Sequence, residues 1–326
     1  MILKKTTRPG INWTQSKMTD RSWTSLCVAP IGRIIAGSGN NGIWYSDNNG
    51  INWTQSKMTD RAWKSLCVTP TGRTFAGSGN NNGIWYSDDN GINWRRSKMT
   101  GGYWYSLCVT PTGRIIAGSE SNGVYYSDDN GINWTQSKMT NRFWISLCVT
   151  PTRRIIAGSI NNGIWYSDDN GINWTQSKMT DGFWKSLCVT PTGRIIAGSD
   201  NDPSTGIWYS DDNGINWTRS KMTGGSWKSL CVTPTGRIIA GSLNYNNGIW
   251  YSDDNGINWT RSKMTDGVWY SLCVTPTGRI IAGSDNGIWY SDPEYTVVCT
   301  KYLDQNGAKE IVTQFKAYCD SLVGGV

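Results

Sequence analysis

Apolar and polar positions alternate along this chain in short bursts rather than in helical stripes. Residues 184–190 (Trp-Lys-Ser-Leu-Cys-Val-Thr), 194–198 (Arg-Ile-Ile-Ala-Gly), 206–210 (Gly-Ile-Trp-Tyr-Ser) and 215–221 (Ile-Asn-Trp-Thr-Arg-Ser-Lys) have a period close to two and are rich in β-branched and aromatic residues. Such segments predict strands. They are separated by Pro191-Thr192-Gly193, an Asn-rich loop at 199–205 and Asp211-Asp212-Asn213-Gly214, all of which break regular structure. Four antiparallel strands follow, here called A to D. The C–D connection has turn chemistry of its own: Asp and Asn bond back to their own backbone, and Gly takes a positive φ at no steric cost.

The four-strand unit recurs. Ser-Leu-Cys-Val begins at 25, 65, 106, 146, 186, 229 and 271, and Tyr-Ser-Asp at 45, 86, 126, 166, 209, 251 and 290. Seven copies of about 40 residues predict a closed array rather than separate domains. The repeat also explains 20 Trp beside only four Phe, since three positions per unit carry Trp, with Tyr125 at one of them. Most of these rings are expected in the core. A WD-type repeat has a similar period but opens with Gly-His, and this chain has no His.

The turn itself, Ser87-Asp88-Asp89-Asn90-Gly91-Ile92-Asn93-Trp94, returns at 46–53, 127–134, 167–174, 210–217 and 252–259, with Asn48 for the second Asp in the first of these. The pattern Ser-x-Asp-x-Gly-x-x-Trp resembles the Asp-box, or BNR repeat, of sialidases and other β-propellers. The resemblance implies an all-β, seven-bladed propeller with four-stranded antiparallel blades over residues 1–292. In that family the box is a folding device away from the catalytic pocket, so function needs a separate argument.

The ends of the array are complementary. Gly10-Ile11-Asn12-Trp13 enters the repeat midway through a hairpin, and 287–292 runs into Pro293 without a following strand. Residues 10–18 are therefore expected to supply the outer strand of the last blade, a velcro closure that leaves no open edge. Residues 1–9 read as a polar lead-in. The tail, 293–326, leaves the repeat: 295–303 reads as a strand and 308–322 as an amphipathic helix with Ile311, Val312, Phe315, Tyr318, Cys319 and Leu322 on one stripe. Such a helix would dock on the propeller or on another protein chain. The segment 301–307 with its helix resembles short modules of tail and baseplate proteins of bacterial viruses, which implies a virion component. Met1-Ile2-Leu3-Lys4-Lys5 lacks the apolar run of a signal peptide, and no stretch is long enough to span a membrane. A soluble chain without membrane insertion, in a virion or the cytoplasm of the producing cell, is expected.

Composition narrows the chemistry. Without His, Ser-His-Asp triads and His-ligated metals are excluded. Seven of the nine Cys occupy one equivalent position each, which gives neither a disulfide framework nor paired metal-ligand spacing; no metal or other cofactor is expected. A sialidase-type site implies an arginine trio, a Tyr nucleophile assisted by Glu, and an Asp acid/base. Here Arg33 and its six equivalents all follow the A–B turn, Glu occurs only at 120, 294 and 310, and the repeats show no Tyr–Glu pair, so catalysis is not expected. A net charge of +7 invites polyanions, but the ordinary reading has Lys17 and its equivalents solvated and the arginines paired with hairpin Asp. Nucleic acid is not an expected partner, because the aromatics lie in strands and no recognised module appears.

Comparison of the copies separates two faces. The A–B and C–D turns are nearly uniform, whereas the D–A and B–C loops on the opposite face differ in sequence and length. The variable loops supply the candidate ligand-binding residues Arg21, Arg61, Tyr103, Arg142, Phe143, Phe183, Tyr245 and Asn246. Aromatic rings stack on the apolar faces of sugars, and Asn offers donor and acceptor. The expected role is a non-catalytic, multivalent binding module for a glycan or a cell-surface receptor. The alternatives are a purely structural propeller decorating a larger assembly and a glycoside hydrolase of sialidase type. Asn and Gly are also plain turn formers, and the loops could have drifted.

Overall fold

The computed structural model describes residues 2–5, 8–19, 21–140, 142–200 and 205–298. Seven four-stranded antiparallel sheets are arranged as blades, with an additional two-stranded ribbon. In blade 1 strands A to D are Trp23–Val28, Ile34–Ser38, Ile43–Ser46 and Thr54–Gln55; blade 5 has Trp184–Val189, Ile195–Ser199, Ile207–Ser210 and Thr218–Arg219. Strand D is shorter than the expected 215–221. The reason is local: Ile215 and Asn216 donate their amides to Asp212 Oδ1 at 3.2 and 2.9 Å, so they belong to the turn, and only two residues remain to pair with strand C.

Blade 7 is closed by the two ends of the array. Its strands Trp269–Val274, Ile280–Ser284 and Gly287–Ser291 are completed by Trp13–Gln15, with Trp13 opposite Ser291 and Gln15 opposite Trp289. The expected velcro closure is therefore present. The lead-in is not merely polar: Ile2–Lys5 forms a strand antiparallel to Tyr295–Val298. A four-residue stretch carries too little pattern to announce a strand whose partner lies at the other end of the chain. Residues 299–303 of the expected tail strand and the whole 308–322 helix lie outside the described residues. Among the described residues no helix is long and apolar enough to cross a membrane.

The core lies between blades. Seven clusters each join one blade to the next, as where Ile35, Ile43 and Met58 of blade 1 meet Trp63, Leu66 and Ala76 of blade 2. Strand B is buried on both faces throughout, which is why it reads as an unbroken apolar run. The seven strand-A Trp are at most 1% exposed; those of strands C and D are half-buried around them. In blade 5, Trp217 stacks on Trp184 and Trp208 meets it edge-on, at centroid distances of 6.3 and 6.4 Å. Indole N–H groups find the carbonyl three residues back, as Trp184 to Asp181 at 2.8 Å, Trp165 to Asn162 at 2.9 Å and Trp94 to Gly91 at 3.0 Å.

Polar side chains then fix each seam. The Ser146 hydroxyl donates to the Trp184 carbonyl of the next blade at 2.8 Å, and Ser65 does the same to Trp104 at 3.0 Å. On the uniform face Arg114 forms a bidentate pair with Asp128 of its own blade at 2.6 and 2.9 Å, lies 4.3 Å from the centre of the Tyr126 ring, and donates to the Asn170 carbonyl of the following blade at 2.9 Å. The repeated arginines thus lock blades together, and the Lys17-type lysines are exposed. This is the ordinary reading of both.

Within each box the carboxylate organises the turn. Asp89 Oδ1 accepts from the Ser87 hydroxyl at 2.7 Å and from the Asn93 and Ile92 amides at 2.8 and 3.1 Å, while Oδ2 accepts from the Asn93 side chain at 2.6 Å. Burial pushes this carboxyl up, but the bonds from Asn93, Ser87 and Ile92 outweigh it and hold it below its usual value; Asp129, Asp169, Asp212 and Asp254 behave alike. A carboxyl lowered on folding contributes stability that is complete above its unfolded pKa of about 4 and is lost as pH falls through the folded value. The melting temperature should be flat from neutrality to about pH 5 and fall below about pH 4. The variant Asp89→Asn, Asp169→Asn, which copies the neutral geometry of Asn48 (Asn52 amide to Oδ1 at 2.8 Å), should show a shallower acid limb. An identical limb in the variant would refute this assignment.

Candidate binding face and channel mouth

The two faces differ in what they hold. On the uniform face Glu294, 3% exposed, enters between the A–B turns of blades 6 and 7: its Oε1 accepts from Thr235 and its side chain lies against Gly278. The ribbon strand Tyr295–Val298 follows directly. The vestibule there is about 790 Å³ and is lined by repeated Val, Thr and Pro such as Val28, Pro70 and Pro111. The opposite face carries the variable loops.

Strand A holds a feature that its two-residue period conceals. In all seven blades the register slips between Trp and Ser: Trp184 faces Ser199 while Ser186 faces Gly198, leaving Lys185 as the extra residue of a β-bulge. A bulge re-aims a side chain and is common next to functional sites. The seven bulge residues, Thr24, Lys64, Tyr105, Ile145, Lys185, Lys228 and Tyr270, line the channel where it opens on the variable face, a space of about 170 Å³ bounded below by the repeated Ser and Leu. They are the only positions of the Trp-x-Ser-Leu-Cys-Val segment that vary. Comparing copies within strands as well as within loops would have found them.

The residue just after strand B matches the bulge residue of its blade. The Lys185 Nζ lies 3.5 Å from Asp200 Oδ2, Lys64 lies over Gly79, and Glu120 stands close enough to Tyr105 for its charge to act on the phenol. Tyr105 and Glu120 are 15 apart in sequence, and the A–B pairing of Trp104 with Ser119 sets them side by side. Burial and then the Glu120 charge push the Tyr105 phenol up, away from a phenolate. Burial, and then the Lys185 and Lys64 ammonium groups, hold Lys228 down to about 8, with Asp200 pulling the other way.

The residues singled out from the loops divide into two groups. Tyr103, Phe143 and Phe183 occupy one equivalent position in three consecutive blades, and their carbonyls accept from the amides of Glu120, Ile160 and Asp200 at 3.1 Å. Tyr103 and Phe143 are 39% and 40% exposed, and Tyr245, in the loop of blade 6, is 56% exposed; Phe183 is half-buried and Asn246 exposed. Together they form an aromatic arc over blades 3 to 6. The arginines face elsewhere: Arg21, Arg61 and Arg142 cover the strand-C rings of Trp44, Trp85 and Trp165 at 4.9, 4.7 and 5.1 Å. Arg61 and Arg142 do so with φ of 75° and 123°, where other blades place Gly102, Gly182, Gly225 or Gly267, a conformation that is costly for a side-chain residue. Several loop Asn side chains serve the turns themselves. Asn81 accepts from the Gly102 amide at 2.5 Å, and Asn162 donates to the Ile160 carbonyl at 3.1 Å.

The seven repeated thiols line the inner strand, Cys67 and Cys231 buried and the others half-buried. Burial pushes them up, Cys108 to about 12, so they are neutral wall rather than nucleophiles. Among the described residues no group of three or more Cys, Asp or Glu is placed to hold a metal ion.

The comparisons with known proteins agree with this geometry. The family model for the BNR/Asp-box repeat matches residues 85–96, 125–136, 165–176, 208–219 and 250–261, the C–D hairpins of blades 2 to 6. No curated protein sequence matches the chain. Among solved structures, the extracellular domain described as that of a one-component system from B. thetaiotaomicron is similar at 14% identity and a TM-score of 0.69, over 86% of this chain and 39% of that one; the chain thus spans about two fifths of that relative's length. Virginiamycin B lyase from Staphylococcus aureus is similar at 13% identity and a TM-score of 0.69, over 91% of this chain and 100% of that one. The GH74 enzyme of Niastella koreensis is similar at 15% identity and a TM-score of 0.70, over 86% and 54%. Identities this low speak for the fold alone. By its sequence repeats and its architecture together, the chain is a seven-bladed β-propeller built on BNR/Asp-box repeats.

Proposed function

We propose that this propeller is a non-catalytic binding module that presents its variable face to a glycan, in the manner of a lectin, while the opposite face fastens it to a larger assembly such as a virion. One observation carries the reading. The exposed aromatics of the variable loops form an arc over consecutive blades, and Glu294, where the tail begins, is seated on the opposite face. Four rings spread along an arc suit a repeating polymer, where several weak contacts add in avidity. Against catalysis stand the repeated arginines after the A–B turns and the loop arginines Arg21, Arg61 and Arg142, committed to an Asp or a ring rather than gathered as a trio, and the raised Tyr105 phenol.

The test is binding of the labelled full chain to an array of glycans that includes bacterial surface polysaccharides. Selective binding is expected, and the variant Tyr103→Ala, Phe143→Ala, Phe183→Ala, Tyr245→Ala should lose it at least tenfold, because base-like or sugar-ring stacking on an aromatic is worth roughly 1 kcal/mol or more per ring, with little change in melting temperature. A folded protein that binds nothing on the array would favour the other reading, a structural propeller whose partner is a protein of its assembly.

A further inference from the structure

We propose that the channel mouth on the variable face is an oxyanion site in which Lys64, Lys185 and Lys228 hold a carboxylate or phosphate group, with Tyr105 and Tyr270 beside it. The site is separate from the aromatic arc and does not depend on what the arc binds.

Three observations converge on it. The bulge in every blade places its extra residue in the mouth, so the seven side chains there come from one structural device while differing in chemistry. Where the blade supplies a counter-group, it is used: Asp200 takes Lys185 and Glu120 takes Tyr105. Lys64 and Lys228 have none of their own, since the matching positions are Gly79 and Leu243, and neither forms an ion pair among the described residues. The second observation is mutual proximity. Lys64, Lys185 and Lys228 line the same small space, and of the carboxylates at its rim, Asp200 beside Lys185 is the one whose charge reaches Lys228, Glu120 and Asp285 lying on blades 3 and 7. An uncompensated cluster of this kind is stabilised by an anion set between its members, which replaces the lost hydration with direct charge-assisted hydrogen bonds. The third is Asp200 itself, 7% exposed, whose Oδ1 has no hydrogen-bond partner among the described residues; a protonated or hydroxyl-bearing ligand supplies the missing donor. A space of about 170 Å³ equals roughly five waters at liquid density, enough for a small oxyanion, or for the charged group of a larger molecule lying across the mouth.

The charge balance sets the pH dependence. An anion favours the charged form of Lys228, so binding takes up a proton when the free site is above about 8. Affinity should be constant near neutrality and fall as pH rises past that value. Glu120 and Asp285, on blades 3 and 7, are the other carboxylates at the rim among the described residues.

The experiment is calorimetric titration of the full chain with sodium phosphate, with acetate, and with a uronic-acid disaccharide, at pH 7 and pH 9.5. Saturable binding of at least one of them is expected, at least tenfold weaker at pH 9.5 and at least tenfold weaker in Lys64→Met, Lys228→Met. Phosphate or acetate binding as tightly as the disaccharide would mark a free anion as the ligand; tighter disaccharide binding would mark an anionic group on a sugar. The lysine variant should fold with an equal or higher melting temperature, since repulsion is removed, and Lys64→Gln alone gives a second reading of the site. The four-aromatic variant should bind phosphate normally, which separates this site from the arc. No saturable binding by the folded protein, or binding that survives the double lysine substitution, would overturn the proposal.

Discussion

Deletion of residues 1–18 should lower the melting temperature by roughly 10 °C or more and promote self-association. The segment supplies the outer strand of blade 7, and its loss uncovers the ladder groups of Trp289–Ser291 that now face Trp13–Gln15. It also removes Met18, 8% exposed in the seam between blades 7 and 1, and Trp13, whose ring lies 6.3 Å from that of Trp269. Two bonds across blades go with it, Arg237 to the Pro9 carbonyl at 2.8 Å and the Lys263 amide to Ile11 at 3.1 Å, as does the Ile288 amide to Met18 at 3.0 Å within blade 7. Burial of a Met and part of a Trp at about 25 cal/mol per Å², with these bonds at about 1 kcal/mol each, puts the loss at roughly 5 kcal/mol or more against a total of about 5–15. An uncovered strand edge then pairs with another copy. Deletion of residues 1–7 alone is the control, since it removes the ribbon strand and keeps Trp13, and it should cost only a few degrees. A peptide of residues 8–19 added in trans should recover part of the loss. A melting temperature within about 2 °C of the full chain after removal of 1–18 would refute the closure as a source of stability.

The same comparison of copies that exposes the closure explains what could be read from sequence and what could not. Strands A to C, the blade count and the division into two faces were legible because each depends on chemistry repeated seven times within short reach: Gly91 for a turn, Ile195 and Ile196 for a strand buried on both sides. The bulge at Lys185 was not, because a strand read at a period of two assigns Lys185 one side of a regular ladder, and the slip arises only when Ser186 pairs with Gly198. The nearness of Tyr105 to Glu120 is a product of the A–B pairing of blade 3, and the convergence of Lys64 on Lys228 is a product of ring closure, which brings blades 2 and 6 to one axis. Three of the loop arginines were legible as variable and not as occupied; that Arg142 lies on Trp165 depends on a backbone φ of 123° that no side-chain pattern announces. The short ribbon of Ile2–Lys5 and Tyr295–Val298 joins opposite ends of the chain; its second half falls in the stretch that reads as a strand, and its first half, four residues long, has no sequence signal of its own.

Replacement of one small residue in the seams should be as damaging as loss of a whole strand. Gly158, in strand B of blade 4, lies under the strand-A Trp of blade 5, and a Cβ there would stand 2.4 Å from Ser146 Oγ, 2.8 Å from Trp184 Cβ and 3.0 Å from the Trp184 carbonyl. None of the three can yield cheaply. Trp184 is fully buried, and the Ser146 hydroxyl is the donor to that same carbonyl at 2.8 Å, so relief of the clash breaks the seam bond or tilts blade 5 away from blade 4. Gly158→Ala should therefore destabilise by about 3 kcal/mol, and Gly158→Val should prevent folding. Gly224→Ala is the matched control: it lies in a D–A loop with nothing within 4 Å of its Cβ, and its effect should stay within about 0.5 kcal/mol. Denaturant unfolding of the three variants checks the ranking, and a Gly158→Ala protein as stable as the Gly224→Ala control would show that the seam yields. The ranking bears on binding as well, because in a closed ring the spacing of one seam is transmitted to the axis. A blade tilted at Gly158 would move Lys185 relative to Lys64 and Lys228, and with them the geometry of the channel mouth.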